Sequence, residues 1–395
     1  MKRSIVFFAL LLLGALVLMS SCKMDSKKNV PIAISMDSLR QVRYQHMLDY
    51  PLDSTAIPRS LNWADSTVHR VASNDWTSGF FPGNLWLIYE LTGREAFKKR
   101  AMGWTAFIER EKRNGGTHDL GFMLFCSFGN GYRLTGNSAY KKTILESAKT
   151  LSTRFNSAVG SLRSWDFNAD IWEFPVIVDN MMNLELLFEA TRMSGDSTFH
   201  NMAVAHANTT LRNHFREDGS SYHVVVYDTL KGAVKEKVTH QGFNDDSAWA
   251  RGQAWGIYGY TMSYRYTKNH AYLAQARKSA DFYLHHPKLR DDGVPYWDFD
   301  DPAIPNAPRD VSAATIVASA LFELYGYTGN TEYKAYAEKV LGTLKSEQYL
   351  LPSEREAPFI LDHSTGNWPK KSEMDEPIVY GDYYYLEALL RSKGN

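Results

Sequence analysis

Two aspartates in this chain stand where a proton donor and a supporting carboxylate would be useful. Asp119 lies in Thr117-His-Asp-Leu-Gly-Phe122, with His118 beside it and Gly121 removing side-chain bulk just after it. Asp179 lies in Val178-Asp-Asn-Met-Met-Asn-Leu184, where Val178, Met181 and Met182 surround it with apolar atoms. Loss of water raises a carboxyl pKa toward the range in which it gives up a proton near neutral pH. A helix N-terminus favours the charged form instead, so the net shift stays open at this level. Two carboxylates facing across a sugar are the common equipment for cleaving glycosidic bonds. Asp119 and Asp179 are therefore the pair expected to carry chemistry.

A third dense segment runs from Gln241 to Tyr258 and crowds Trp249, Arg251, Gln253 and Trp255 together at the start of a helix. An ordinary core would use aliphatic residues there. Burying an unpaired guanidinium is expensive, so Arg251 requires an anionic partner. The candidates are a protein carboxylate, such as Asp245 or Asp246, or a carboxylate on the substrate. The histidines show neither HxH nor HExxH spacing, which predicts no catalytic metal, and no cofactor is expected. The chain has no glycine-rich phosphate loop and no GxSxG elbow, which removes nucleotide-dependent and serine-hydrolase chemistry.

The elements that must hold these residues announce themselves through a repeated phrase. Leu91-Thr-Gly-Arg-Glu-Ala-Phe97 recurs as Leu134-Thr-Gly-Asn-Ser-Ala-Tyr140, Met193-Ser-Gly-Asp-Ser-Thr-Phe199, Tyr266-Thr-Lys-Asn-His-Ala-Tyr272 and Tyr327-Thr-Gly-Asn-Thr-Glu-Tyr333. Each reads as a turn between two helices, with glycine as a left-handed C-terminal cap and Asn or Asp opening the next helix. Lys268 takes the glycine position in the fourth copy. Segments before the turns (119–134, 179–193, 248–266, 310–326) are apolar or small nearly all round, as buried inner helices are. Segments after them (95–110, 138–155, 197–212, 270–286, 331–347) are amphipathic, as outer helices are. Adding helices at 36–49, 77–92 and 379–391 gives six pairs, which predicts an all-α fold, an (α/α)6 barrel of six helical hairpins. The unequal intervals between copies argue against an open repeat array. The inner helices open near Asp119, Asp179, Asp246, Asp310 and Asp382. Asp is a favoured N-cap, so each of these has a purely structural reading beside any chemical one.

Lys+Arg and Asp+Glu balance at 44 each, which argues against a nucleic-acid partner held by bulk charge. Lys2 and Arg3, an apolar run from Ile5 to Met19, and Ser20-Ser21-Cys22 read as a signal peptide (1–21) ending at a lipidation site. Cys22 would then be the lipidated terminus, 22–31 a tether, and 32–395 the catalytic domain, placing the protein in the cell envelope, periplasmic or outer-membrane. Cys126 is the other cysteine and is expected to be an inert core thiol.

Through His118-Asp-Leu-Gly-Phe122, Asp179-Asn-Met-Met-Asn-Leu184 and Trp249-Ala-Arg-Gly-Gln-Ala-Trp255, the chain resembles the unsaturated glucuronyl hydrolases of glycoside hydrolase family 88. The resemblance runs from Asp75 to Arg391 and also implies an (α/α)6 barrel. It implies an enzyme that removes a 4,5-unsaturated uronic acid from the non-reducing end of lyase-generated oligosaccharides, with glycosaminoglycans as the expected source. By resemblance, Asp179 protonates C4 and assists addition of water at C5, while Asp119 contacts ring hydroxyls. Trp76, Trp165, His223, Gln241, Trp249, Arg251 and Trp255 match the family's stacking and polar contacts. Ser364, Lys370 and Lys371 fall in the loop where relatives that accept sulfated sugars make contacts. Two alternatives stand beside this reading: a related hydrolase of unsaturated galacturonyl or rhamnogalacturonyl ends of pectin fragments, and a non-catalytic sugar-binding lipoprotein.

Overall fold

Every copy of the repeated phrase is a turn between an inner and an outer helix. Gly93, Gly136, Gly195 and Gly329 follow the inner helices with φ between 65° and 79°. Each donates its N–H to a carbonyl four residues back. Asn137, Asp196, Asn269 and Asn330 cap the following outer helices, each side chain accepting from the N–H two residues on. Lys268 adopts the same left-handed conformation, φ 55°. A side chain there costs about 1 kcal/mol. Its ammonium lies 5.2 Å from the Tyr264 ring and 4.9 Å from that of Tyr327, contacts worth about 0.5–1 kcal/mol that offset most of the cost.

The computed structural model describes residues 36–394. Cys22 and the expected leader and tether lie outside them. The described chain is an α/α barrel. Its inner ring consists of Phe80–Thr92, Asn130–Thr135, Leu184–Ser194, Ala250–Thr267, Val311–Thr328 and Val379–Lys393. Its outer ring consists of Met36–Asp49, Glu95–Ile108, Ser138–Ser152, Ser197–Asn213, His270–Leu284 and Thr331–Thr343. The inner helices Ala250–Thr267 and Val311–Thr328 are buried nearly all round, whereas helix His270–Leu284 buries one stripe formed by Tyr272, Gln275, Ala276, Ser279, Ala280 and Tyr283. The ring closes where Val379–Lys393 packs between Phe80–Thr92 and Val311–Thr328.

Two inner helices do not begin as α-helices. Gly121–Gly129 winds as a π-helix before Asn130–Thr135, and Val178–Asn183 winds as a 3-10 turn before Leu184–Ser194. These irregular starts adjoin Asp119 and contain Asp179. The expected series of capping aspartates needs correction. Asp310 does cap its helix, accepting from the N–H of Ser312 and Ala313. Asp382 instead accepts from the N–H of Ile360 and Leu361, and burial pushes its carboxyl up to about 8. Asp246 is exposed in a loop, and the next helix opens at Trp249 without a side-chain cap.

The long connections gather at the rim where inner helices begin, and they carry small antiparallel sheets. One joins Pro175–Ile177, Val224–Tyr227 and Val234–Val238, and another is the hairpin Ser364–Asn367 with Ser372–Glu376. At the opposite, short-turn end a cavity of about 710 Å³ is lined by Tyr258, Tyr266 and several charged side chains. Its Arg133, Arg192, Arg265 and Arg391 are each paired with a glutamate. That end is a braced ionic floor, and the candidate carboxylates lie toward the other rim.

Candidate active site

Strand register places Asp179. Ile177 pairs with Val224, and Val178 donates its N–H to His223 O at 3.0 Å, so the turn that follows delivers Asp179 beside His223. His223 Nδ1 accepts from two backbone N–H groups, those of His240 at 3.0 Å and Gln241 at 3.2 Å. A nitrogen that accepts two donors carries no proton, so the ring hydrogen sits on Nε2. That Nε2 faces Asp179 Oδ2 at 3.7 Å, just beyond hydrogen-bonding distance, and neither atom has another partner. Burial keeps His223 neutral, pushing its pKa well down. The same burial pushes the Asp179 carboxyl up to about 7; nearby Asp119 adds to the rise, while Arg251, a backbone N–H and the Trp255 side chain oppose it.

Asp119 precedes the π-helix and is held from several sides. Thr117 Oγ1 donates to its Oδ2 at 3.2 Å, and Asn183 Nδ2 donates to its Oδ1 at 3.4 Å. His118 is buried with Nδ1 donating to Ser164 O at 2.7 Å, which leaves its Nε2 3.2 Å from Asp119 Oδ1. Ser164 Oγ in turn accepts from Ile177 N at 3.0 Å, so the supports of the two aspartates meet at one residue.

The remaining candidates form a wall around this pair. Trp249 packs on His223 with ring centroids 4.7 Å apart, and Trp165 meets the same imidazole edge-on at 5.8 Å. Trp255 touches Phe122 at 5.2 Å, and Phe122 touches Trp76 at 5.5 Å. Gln241 Nε2 donates to Gly366 O at 3.4 Å, joining the hairpin at 364–376 to the site. Trp76, Trp165, His223, Gln241, Trp249, Arg251 and Trp255 thus fall in one neighbourhood with the two aspartates, whereas Gln253 turns away, donating to Gly219 O and Ser279 O. Lys370 and Lys371 are exposed on the hairpin, whereas Ser364 is buried.

Arg251 requires a correction. Its partner is neither Asp245 nor Asp246 but Asp310, at 2.8 Å, in a pair that is almost fully buried. The same guanidinium donates to Thr365 O and Gly366 O and lies 4.7 Å from the Trp249 ring. Asp310 was visible in the sequence as a helix opener, but nothing in its spacing from Arg251 signals that one carboxylate both caps a helix and neutralises a cation 59 residues away. Tyr380, packed 5.1 Å from Trp76 and 5.4 Å from the Arg251 guanidinium, was also missed. So were the bridging roles of Ser164 and Asn183.

Comparison with known proteins shows the family. The model of Glycosyl Hydrolase Family 88 matches residues 55–349. The chain is 58% identical to an unsaturated glucuronyl hydrolase of Formosa agariphila, over 99% of this chain and 98% of the relative. It is 31% identical to an unsaturated chondroitin disaccharide hydrolase of Streptococcus pneumoniae, over 87% of each. Among solved structures, it is similar to the crystal structure of an unsaturated glucuronyl hydrolase specific for heparin, with a TM-score of 0.88 and 44% identity over 91% of this chain and 97% of that one. An α/α barrel with paired rim aspartates, matched along most of its length, places this chain in glycosyl hydrolase family 88.

Proposed function

We propose that the protein is an unsaturated glucuronyl hydrolase that removes a 4,5-unsaturated uronic acid from the non-reducing end of oligosaccharides released by polysaccharide lyases. The observation that carries this reading is the buried Asp179 carboxyl, held at about 7 and faced by the Nε2–H of a neutral His223. At neutral pH such a group is partly protonated and can serve as both acid and base. Asp179 gives its proton to C4 of the enol-ether double bond, and positive charge develops at C5 and the ring oxygen. The resulting carboxylate then takes a proton from the water that adds to C5. The hemiketal opens and the next sugar is released, with one water consumed. His223 Nε2–H stabilises the carboxylate in the step where it exists. Asp119 accepts hydrogen bonds from ring hydroxyls, and Trp76, Trp165, Trp249 and Trp255 supply apolar walls. Gln241 and Arg251 hold the Thr365–Gly366 backbone against the site.

The named relatives, one acting on chondroitin disaccharides and one specific for heparin, support a glycosaminoglycan-derived substrate. We also propose export and lipid anchoring through Cys22. Incubation with unsaturated glycosaminoglycan disaccharides should bleach the ultraviolet absorbance of the conjugated alkene. An unchanged absorbance with measurable sugar binding would favour a non-catalytic binder, and turnover confined to unsaturated galacturonyl ends would favour the pectin reading.

A further inference from the structure

Asn183 closes the turn that carries Asp179 and also touches Asp119, and we propose that it is a positioning residue that sets how the two carboxylates face each other. This rests on the reading of Asp119 and Asp179 given above. Asn183 is fully buried. Its Oδ1 accepts from the N–H of Phe122 at 3.0 Å. A backbone N–H only donates, so the orientation of the amide is determined and Nδ2 is the end that faces Asp119 Oδ1, at 3.4 Å. One planar group therefore grips both the Asp119 carboxylate and the backbone three residues after it. Four residues upstream, on the same short 3-10 turn, stands Asp179.

The approach is close enough to require glycine opposite. A Cβ on Gly121 would lie 2.6 Å from both Asn183 Cα and Asn183 Oδ1. The π-helix start and the 3-10 turn thus meet backbone to backbone, and Asn183 is the latch between them. The charged and titratable groups around this latch are Asp119, the neutral His118 ring beside it, and Asp179 on its own turn, with Arg251 acting on Asp179. His118 donates through Nδ1 to Ser164 O and presents a lone pair at Nε2, so Asn183 supplies the donor that Oδ1 needs. Without that donor, only Thr117 Oγ1, bonded to the other oxygen, still fixes the Asp119 carboxyl relative to the turn carrying Asp179.

The test uses the full-length protein and two variants. Asn183→Asp keeps an oxygen for the Phe122 N–H but sets a second carboxylate against Asp119. The expected result is a kcat lowered about ten- to hundred-fold at neutral pH, with KM changed much less. The loss should shrink as pH falls, because the new carboxyl donates again once it is protonated. A kcat that runs parallel to wild type across the pH range would mean that Asn183 only bolts two segments together, and would overturn the proposal. Asn183→Ser, smaller and uncharged, decides the matter if the first variant does not fold. For this variant, which cannot titrate, about a ten-fold lower kcat with KM and the melting temperature kept near wild type supports the proposal, and wild-type kcat, or a kcat that falls only together with the melting temperature, overturns it. Asp119→Asn and Asp179→Asn are assayed alongside. Wild-type turnover in those two would bring down the carboxylate reading itself, a result distinct from failure at Asn183 alone.

Discussion

His223 Nε2 stands 3.7 Å from Asp179 Oδ2 while its Nδ1 is occupied by the N–H groups of His240 and Gln241. Protonating this ring would drive a new N–H into two existing ones, so His223 remains a neutral donor aimed at the carboxylate. In the proposed reaction the proton that moves is therefore that of Asp179. With that carboxyl held at about 7, kcat/KM should decline on the alkaline side of about pH 7, as the acid form is lost. Asp179→Asn should lower kcat by about 10²–10⁴-fold with the fold kept, and Asp119→Asn should also cause a large loss. Turnover of Asp179→Asn within a few-fold of wild type would refute the assignment.

Stability should respond to Asp179 in the opposite direction to activity. Its folded pKa lies above the unfolded value near 3.9. The native state therefore holds the proton longer than the unfolded chain, and this contribution is full below about pH 4 and lost as pH rises through about 7. Asparagine has no charge to bury, so Asp179→Asn should melt above wild type at pH 8, by roughly 1–2 °C for each kcal/mol relieved in a barrel of this size. The gap should narrow at pH 5. Thermal melts of the two proteins across this range check the sign, and a variant less stable at pH 8 would contradict it.

Arg251 should behave as a brace. Its fork serves Asp310 and two carbonyls of the 364–376 hairpin. The single ammonium of Arg251→Lys cannot reproduce those directions. Losing bonds to a buried charged group costs about 1.5–3 kcal/mol, and the melting temperature should fall by several degrees. Any fall in kcat/KM should be equal for a uronate substrate and its methyl ester. A loss confined to the free acid would instead show that the guanidinium reads the substrate carboxylate.

The anchor is tested separately from the barrel. Cys22→Ser should move the protein from the membrane fraction to the soluble fraction of its own cell with kcat unchanged, because the described barrel begins after it. Wild-type protein found unlipidated and soluble would remove the lipoprotein reading.

The barrel was legible in the sequence because its rules are local. A glycine with positive φ, an Asn or Asp cap, and apolar faces of different width are all properties of a few adjacent residues, so five copies of one phrase were enough to order the hairpins. The two candidate aspartates stood out for a related reason, since apolar or small residues lie within four positions of each. What the sequence could not contain were pairings across the ring. Arg251 met Asp310, a helix away, because the ring brings the starts of neighbouring inner helices together, while the closer Asp245 and Asp246 stayed in the loop. The His223 tautomer depends on where a strand and a later loop happen to end, and the close approach of the π and 3-10 starts requires glycine at 121 opposite Asn183. The net shift of Asp179 was decided in the same way. Burial by the assembled barrel outweighs Arg251 and the backbone N–H that favour its charge, and only the tertiary structure sets how much water is left beside it.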